Sequence, residues 1–200
     1  MGNRLSNYVQ TALGALSLLI WNKPCRIIIT GLDAAGKTSL FNRLRLGEVG
    51  TTFPTIGFTI ESFVYKNIKF TAYDLGGEVR LRPLWLRYLY EMDAVVYVVD
   101  ACDRERIGEA AEALHSFFRS EDLRDAKLLV YANKQDLAGS MTAAEVRSAL
   151  KLDTVTKNPH YVVCSSVLFG EGVNEGLDWL RSMLMGDEFP DVNDDDESCV

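Results

Sequence analysis

Four cysteines in 200 residues, Cys25, Cys102, Cys164 and Cys199, form no CxxC pair and show no short spacing. That argues against a disulfide framework and against a zinc site, and favours a reducing compartment. Long apolar runs are also missing. The best candidate, Ala12 to Trp21, is interrupted by Gly14 and Ser17 and falls short of the roughly 20 residues a bilayer-spanning helix needs. No A-x-A cleavage site follows it, so a secretory signal peptide is not the expected reading. Basic blocks are absent as well. Seven acids between Asp187 and Glu197, with no Lys or Arg among them, account for the whole net charge of −7 and leave a formally neutral body. A neutral body without basic blocks argues against nucleic acid as the main partner. Without repeats or an internal linker, one domain is expected, followed by an acidic, disordered tail over 187–200.

What is there is an alternation of strand-like and helix-like segments, which predicts an α/β fold: a mostly parallel sheet of six strands with helices on both faces. Arg26 to Thr30, Ala94 to Asp100, Lys127 to Asn133 and His160 to Ser165 read as buried strands. Phe58 to Tyr65 and Ile68 to Asp74 alternate in polarity across Lys66 and Asn67, so they predict a hairpin and one antiparallel strand. Helices are expected at Lys37 to Leu46, around Arg104 to Arg119, at Thr142 to Leu150 and at Val173 to Met185. The last places Val173, Leu177, Leu180 and Leu184 on one face.

Gly31-Leu32-Asp33-Ala34-Ala35-Gly36-Lys37-Thr38 is a full G-x-x-x-x-G-K-[ST] match between a strand and a helix. This P-loop needs Gly31 and Gly36 where backbone must approach an anion closely, and its amides, with the following helix N-terminus, point at phosphate. Lys37 is the candidate for the β- and γ-phosphates and Thr38 for Mg²⁺, with Ser39 as a further nucleotide contact. Taken alone, the loop fits a kinase or ATPase as well. Asn133-Lys134-Gln135-Asp136 at a strand end decides for guanine, because one carboxylate can accept from both N1–H and the C2 amine, neither of which adenine offers. Asp74-Leu75-Gly76-Gly77 supplies a carboxylate for a Mg²⁺-bound water and an amide, that of Gly77, for a γ-phosphate. In Thr51-Thr52-Phe53-Pro54-Thr55-Ile56-Gly57, Thr55 is the candidate second hydroxyl on Mg²⁺. His115 and His160 sit at no metal-ligand spacing and read as structural.

Together with Pro54-Thr55-Ile56-Gly57-Phe58, Arg82-Pro83-Leu84-Trp85 and Asn133-Lys134-Gln135-Asp136-Leu137, these motifs resemble the ADP-ribosylation factor (Arf) family of small GTPases. The resemblance runs from Met1 to about Met185. Gly47-Glu48-Val49, Asp93 to Asp100 and Cys102 to Gly108 look most similar to the Arf-like branch that works at the trans-Golgi. It implies a G domain over 23–186 that cycles between GDP and GTP, hydrolyses slowly, and engages an exchange factor, an activating protein and effectors as a cytoplasmic monomer recruited to membranes. A Golgi location and a role in vesicle traffic follow from the same likeness.

The first 22 residues fit that picture on their own terms. Met1-Gly2-Asn3-Arg4-Leu5-Ser6 matches M-G-x-x-x-[ST], making Gly2 a candidate for myristoylation. Leu5, Val9, Ala12, Leu13, Leu16, Leu19 and Ile20 recur at helical spacing and would supply the second membrane anchor that a single acyl chain requires. The competing reading is an ordinary core helix. In the family this helix is released to the bilayer with GTP, coupled to a register slide of the hairpin, here Phe58 to Asp74.

Three departures from the family pattern stand out. Glu78 occupies the place after Gly77 where a glutamine normally orients the attacking water; a carboxylate cannot donate to a phosphate oxygen and adds negative charge. Two readings follow, a slow GTPase or a hydrolysis-poor GTP-bound adaptor. Tyr73 stands where Arf proteins carry tryptophan, and with Phe58 and Tyr88 it would form the effector-facing aromatic cluster. Ser165-Ser166-Val167 replaces the family's guanine-covering residues, with Ser166 and Val167 as the candidate base contacts through backbone.

Overall fold

The computed structural model describes residues 23–49, 58–75, 89–155 and 158–187. The N-terminal helix with Gly2, the loop carrying Thr55, the segment with Gly77, Glu78 and Tyr88, and the tail from 188 onward lie outside them, as does the Phe58 side chain.

Six strands form one sheet: β1 (Lys23–Thr30), β2 (Phe58–Tyr65), β3 (Ile68–Leu75), β4 (Ala94–Asp100), β5 (Lys127–Asn133) and β6 (His160–Ser165), in the spatial order β2-β3-β1-β4-β5-β6. Only the β2–β3 pair is antiparallel, as the two-residue turn at Lys66 and Asn67 requires. β1 begins three residues before the expected Arg26, because Lys23, Pro24 and Cys25 also find register partners in Ile68, Lys69 and Phe70.

The helices are α1 (Lys37–Leu46), α2 (Ile107–Phe117), α3 (Ala143–Ala149), the short α4 (Leu152–Val155) and α5 (Val173–Met185). α2 starts later than Arg104 because the Asp103 carboxylate accepts from the Arg106 amide and closes a turn first. α3 starts on a capping box in which the Thr142 hydroxyl and the Glu145 carboxylate satisfy each other's backbone amides.

Strand alternation splits the core in two. Ile28, Val95, Tyr97, Leu128 and Val130 face Leu114, Phe117 and Val146, the side of α2 and α3. Ile27, Ile29, Val96, Val98, Leu129 and Tyr131 face Leu40, Phe41, Trp179 and Leu180, the side of α1 and α5. Every one of these side chains is nearly or wholly buried, so both faces of the parallel strands are covered and their sequences read as continuous apolar runs. Gly176 fits on α5 because the Tyr131 ring occupies its side: a Cβ there would lie 2.7–2.8 Å from the ring and hydroxyl.

The hairpin tip is tied to α5. The Tyr65 hydroxyl donates to Asp178 Oδ1 at 3.0 Å, Lys66 pairs with the same carboxylate, and Arg181 Nε donates to Asn67 Oδ1 at 2.8 Å. Burial, reinforced by the Asp178 hydrogen bond and charge, raises the Tyr65 phenol from its ordinary 10.0 to about 12. The folded state therefore holds this proton more tightly than the unfolded chain does. Its contribution is intact below pH 10 and is lost as pH climbs through about 12. We expect Tyr65→Phe to flatten the fall of the urea midpoint over that window relative to wild type. An identical slope in both proteins would mean that Asp178 does not hold the Tyr65 phenol in the folded state.

Candidate functional site

The parallel strands all deliver their C-terminal ends to one edge of the sheet, and the motifs sit there. Asp100, Asn133 and Ser165 lie side by side in register at the ends of β4, β5 and β6, which is where open α/β sheets bind their ligands.

β1 runs into the loop 31–36. Gly31 adopts φ +139° with the Val98 carbonyl where a Cβ would stand, and Gly36 adopts φ +100° with the Asn133 amide in the same place. Neither position tolerates a side chain. Gly36 also precedes α1, and among the described residues no side chain caps that helix and no acid enters its first turn. A helix start with neither a capping side chain nor a first-turn acid suits an anion. Lys37 is 6% exposed and its ammonium donates back across the loop to the Leu32 carbonyl at 2.7 Å. Asp33, an exposed loop residue, pairs with Arg106 at 3.2 Å, and Arg106 Nε is held by Asp103 at 2.6 Å.

The Thr38 hydroxyl donates to Asp74 Oδ2 at 3.0 Å, so α1 and the end of β3 bring together two of the three residues assigned to Mg²⁺. A hydroxyl beside a carboxylate is a hard-oxygen donor set that fits that ion. Among the described residues there is no cluster of three or more His, Cys, Asp and Glu side chains suited to a metal; His115 and His160 instead meet the Leu150 and Asn158 carbonyls.

On the base side, Asn133 is 3% exposed and uses both ends of its side-chain amide. Nδ2 donates to the Ala35 carbonyl of the loop at 2.8 Å, and Oδ1 accepts from the Val167 amide at 3.0 Å. The amide that the family resemblance assigns to the purine is thus donated to Asn133. Ser166 Oγ donates to Asp136 Oδ1 at 2.5 Å, orienting an otherwise exposed carboxylate. Lys134, at φ +71°, reaches Asp100 Oδ2 at 2.5 Å. Gln135 points away from the site and staples its loop, donating to the Ala132 and Met141 carbonyls. Cys102 Sγ lies 3.7 Å from the Lys134 carbonyl, and burial followed by the Asp100 charge pushes its thiol up, away from thiolate chemistry.

Tyr73, expected on an exposed aromatic face, is half-buried. Its hydroxyl accepts from Arg26 Nη2 at 3.0 Å, the same guanidinium lies 5.6 Å from the ring centre, and Arg26 also pairs with Glu91.

Three participants were invisible to motif reading: Arg106, Gln135 and Arg43, whose guanidinium meets the Val167 and Leu168 carbonyls. The i, i+3 spacing of Asp103 and Arg106 signals their pairing, but nothing in the sequence points from Arg106 to Asp33 or from Arg43 to Val167.

Removing the Asn133 side chain would orphan a buried carbonyl and a buried amide together. We expect Asn133→Ala to cost about 2–4 kcal/mol of folding stability, on the scale of two lost buried partners. Urea unfolding with an unchanged m-value checks this, and a loss below about 0.5 kcal/mol would show that the two loops do not depend on the bridge.

Comparison with known proteins agrees with this geometry. Residues 12–184 match the ADP-ribosylation factor family. Among solved structures, the chain is similar to the Arl6 (BBS3) small GTPase from Trypanosoma brucei with the bound nucleotide analogue GppNp, at 32% identity and a TM-score of 0.77, covering 83% of this chain and 100% of that one. Arf-family GTPases bind GTP and GDP, typically with Mg²⁺. The chain belongs to the ADP-ribosylation factor family of small GTPases.

Proposed function

We propose that this protein is a GDP/GTP-operated switch whose guanine reader is Asp136 and whose phosphate cradle is Gly31 to Ser39. The observation that carries the reading is the Asn133 bridge, which joins the candidate phosphate loop and the candidate base loop through one side chain. In this reading Asp136 takes the purine N1–H and C2 amine, Ser166 holds that carboxylate in place, and Lys134 and Val167 bound the base. Lys37 exchanges the Leu32 carbonyl for phosphate. Thr38, Thr55 and, through water, Asp74 hold Mg²⁺, which when bound neutralises charge on the β- and γ-phosphates. Gly77 would report the γ-phosphate. Phe58, Tyr73 and Tyr88 would face effectors, and exchange and activating proteins would complete the cycle. Gly2, once acylated, and the helix within 1–22 would recruit the GTP form to a membrane surface, with the trans-Golgi as the compartment suggested by the Arf-like resemblance.

Purified protein is expected to retain guanine nucleotide, to prefer GTP over ATP in competition, and to lose that preference in Asp136→Ala. Undiminished guanine binding in the variant would end the reading.

A second reading, a GTP-bound adaptor that hardly hydrolyses, is favoured by Glu78. Without a donor for the attacking water's phosphate partner, intrinsic turnover is expected at or below about 10⁻⁴ s⁻¹, the scale of unaided small GTPases. Single-turnover hydrolysis should be faster in Glu78→Gln. A wild type faster than the variant would overturn both the expectation and the adaptor.

A further inference from the structure

One charged side chain reaches the base loop from behind without belonging to any nucleotide motif. Arg43 lies two turns along α1, the helix that opens on Lys37 and Thr38. Its Nε donates to the Val167 carbonyl at 2.5 Å and its Nη2 to the Leu168 carbonyl at 2.6 Å. Gly170 gives the guanidinium room: at φ +87° its missing Cβ would stand 2.8 Å from Arg43 Nη1 and 3.3 Å from Cζ.

The loop's own hydrogen bonds explain why it needs this brace. The amides of Phe169, Gly170 and Glu171 all converge on the single carbonyl of Ser166, at 3.2, 2.7 and 3.1 Å. That turn consumes donors and offers the Val167 and Leu168 carbonyls no internal partner in return. Val167 is buried, but Leu168 and Phe169 are more than half exposed, so beyond Val167 the turn is not anchored by burial. Arg43 and Gly170 also line an open pocket of about 240 Å³ with Leu44, Phe63 and Leu177, so the guanidinium is not packed on every side.

The contacts close a ring. Ala35 of the phosphate loop receives Asn133, Asn133 receives the Val167 amide, the Val167 carbonyl receives Arg43, and Arg43 stands on the helix that continues the phosphate loop. We infer that Arg43 is a positioning residue for guanine recognition: it fixes the Ser166–Val167 turn, and through Ser166 the Asp136 carboxylate, relative to the phosphate-gripping end of α1. A planar fork suits two consecutive carbonyls, whereas a lysine ammonium is a single point of charge on a flexible stem.

The inference rests on the nucleotide reading above, and the experiment separates the two. Release of ribose-labelled fluorescent GDP is measured by chase for wild type, Arg43→Gln and Arg43→Lys, with inosine diphosphate, which lacks the C2 amine read by Asp136, as competitor. Loss of hydrogen bonds from a charged donor predicts roughly tenfold or faster GDP release in Arg43→Gln, with an intermediate rate in Arg43→Lys. The preference for GDP over inosine diphosphate should shrink in the same order, because the misaligned carboxylate costs most where both of its contacts are in use. GDP release unchanged in both variants overturns the inference. So does faster release with the preference intact, which would place the effect of Arg43 on the phosphate side alone. Should the glutamine variant fail to fold, the lysine variant still decides by the same two readouts. A wild type that does not hold labelled GDP at all overturns the nucleotide reading and this one with it.

Discussion

One amide side chain governs how this site is built. Asn133 has a donor and an acceptor on adjacent atoms, and it spends the first on the Ala35 carbonyl and the second on the Val167 amide. Aspartate in its place would only accept and would set a charge beside a carbonyl, while leucine would leave both loops unpaired in a buried region. Other choices follow from that bridge. Gly36 has no side chain because Asn133 Nδ2 fills the space where one would begin. Val167 gives its amide to Asn133, and its carbonyl accepts from Arg43.

The sheet makes the bridge possible. Parallel pairing sets Asp100, Asn133 and Ser165 at one level across three strands, so each loop leaving the sheet starts from the same line. Asp100 then supports Lys134, and Ser166, one residue beyond the strand end, supports Asp136. The two cores on opposite faces hold these strand ends rigid, since a register error of one residue would exchange Ile27 and Ile29 with Ile28 and reverse both faces at once.

The motifs were legible because they are local. Eight consecutive residues carry the P-loop motif, four carry the candidate base reader, and the strand runs are visible as unbroken apolar stretches; α1, β4, β5 and β6 begin and end where their residues predict. What could not be read is made by pairs far apart in the chain. Arg43 and Val167 are 124 residues apart, Arg106 and Asp33 are separated by 73, and Tyr65 meets Asp178 across 113. An arginine on an amphipathic helix looks like any solvated charge until the fold decides which carbonyls lie within its reach. Gln135 was concealed differently: it sits inside the tetrapeptide proposed to read the base, yet its side chain turns away to pin the loop.

Tyr73 shows how a departure from a family pattern acquires meaning only with its neighbour. Arg26 offers donors and no acceptor, and an indole N–H is likewise a donor, so a tryptophan here would give the guanidinium a π-face but no hydrogen-bond partner. The phenol gives both: its oxygen accepts from Arg26 at 3.0 Å while the ring lies under the same cation. Glu91 completes the arrangement at 3.2 Å, a half-exposed ion pair whose strength alone is small. Arg26 therefore links β1, β3 and the residues just before β4. The surface near Tyr73 presents a phenol and a paired guanidinium in place of a bare indole, a more polar and more directional contact for whatever partner meets it.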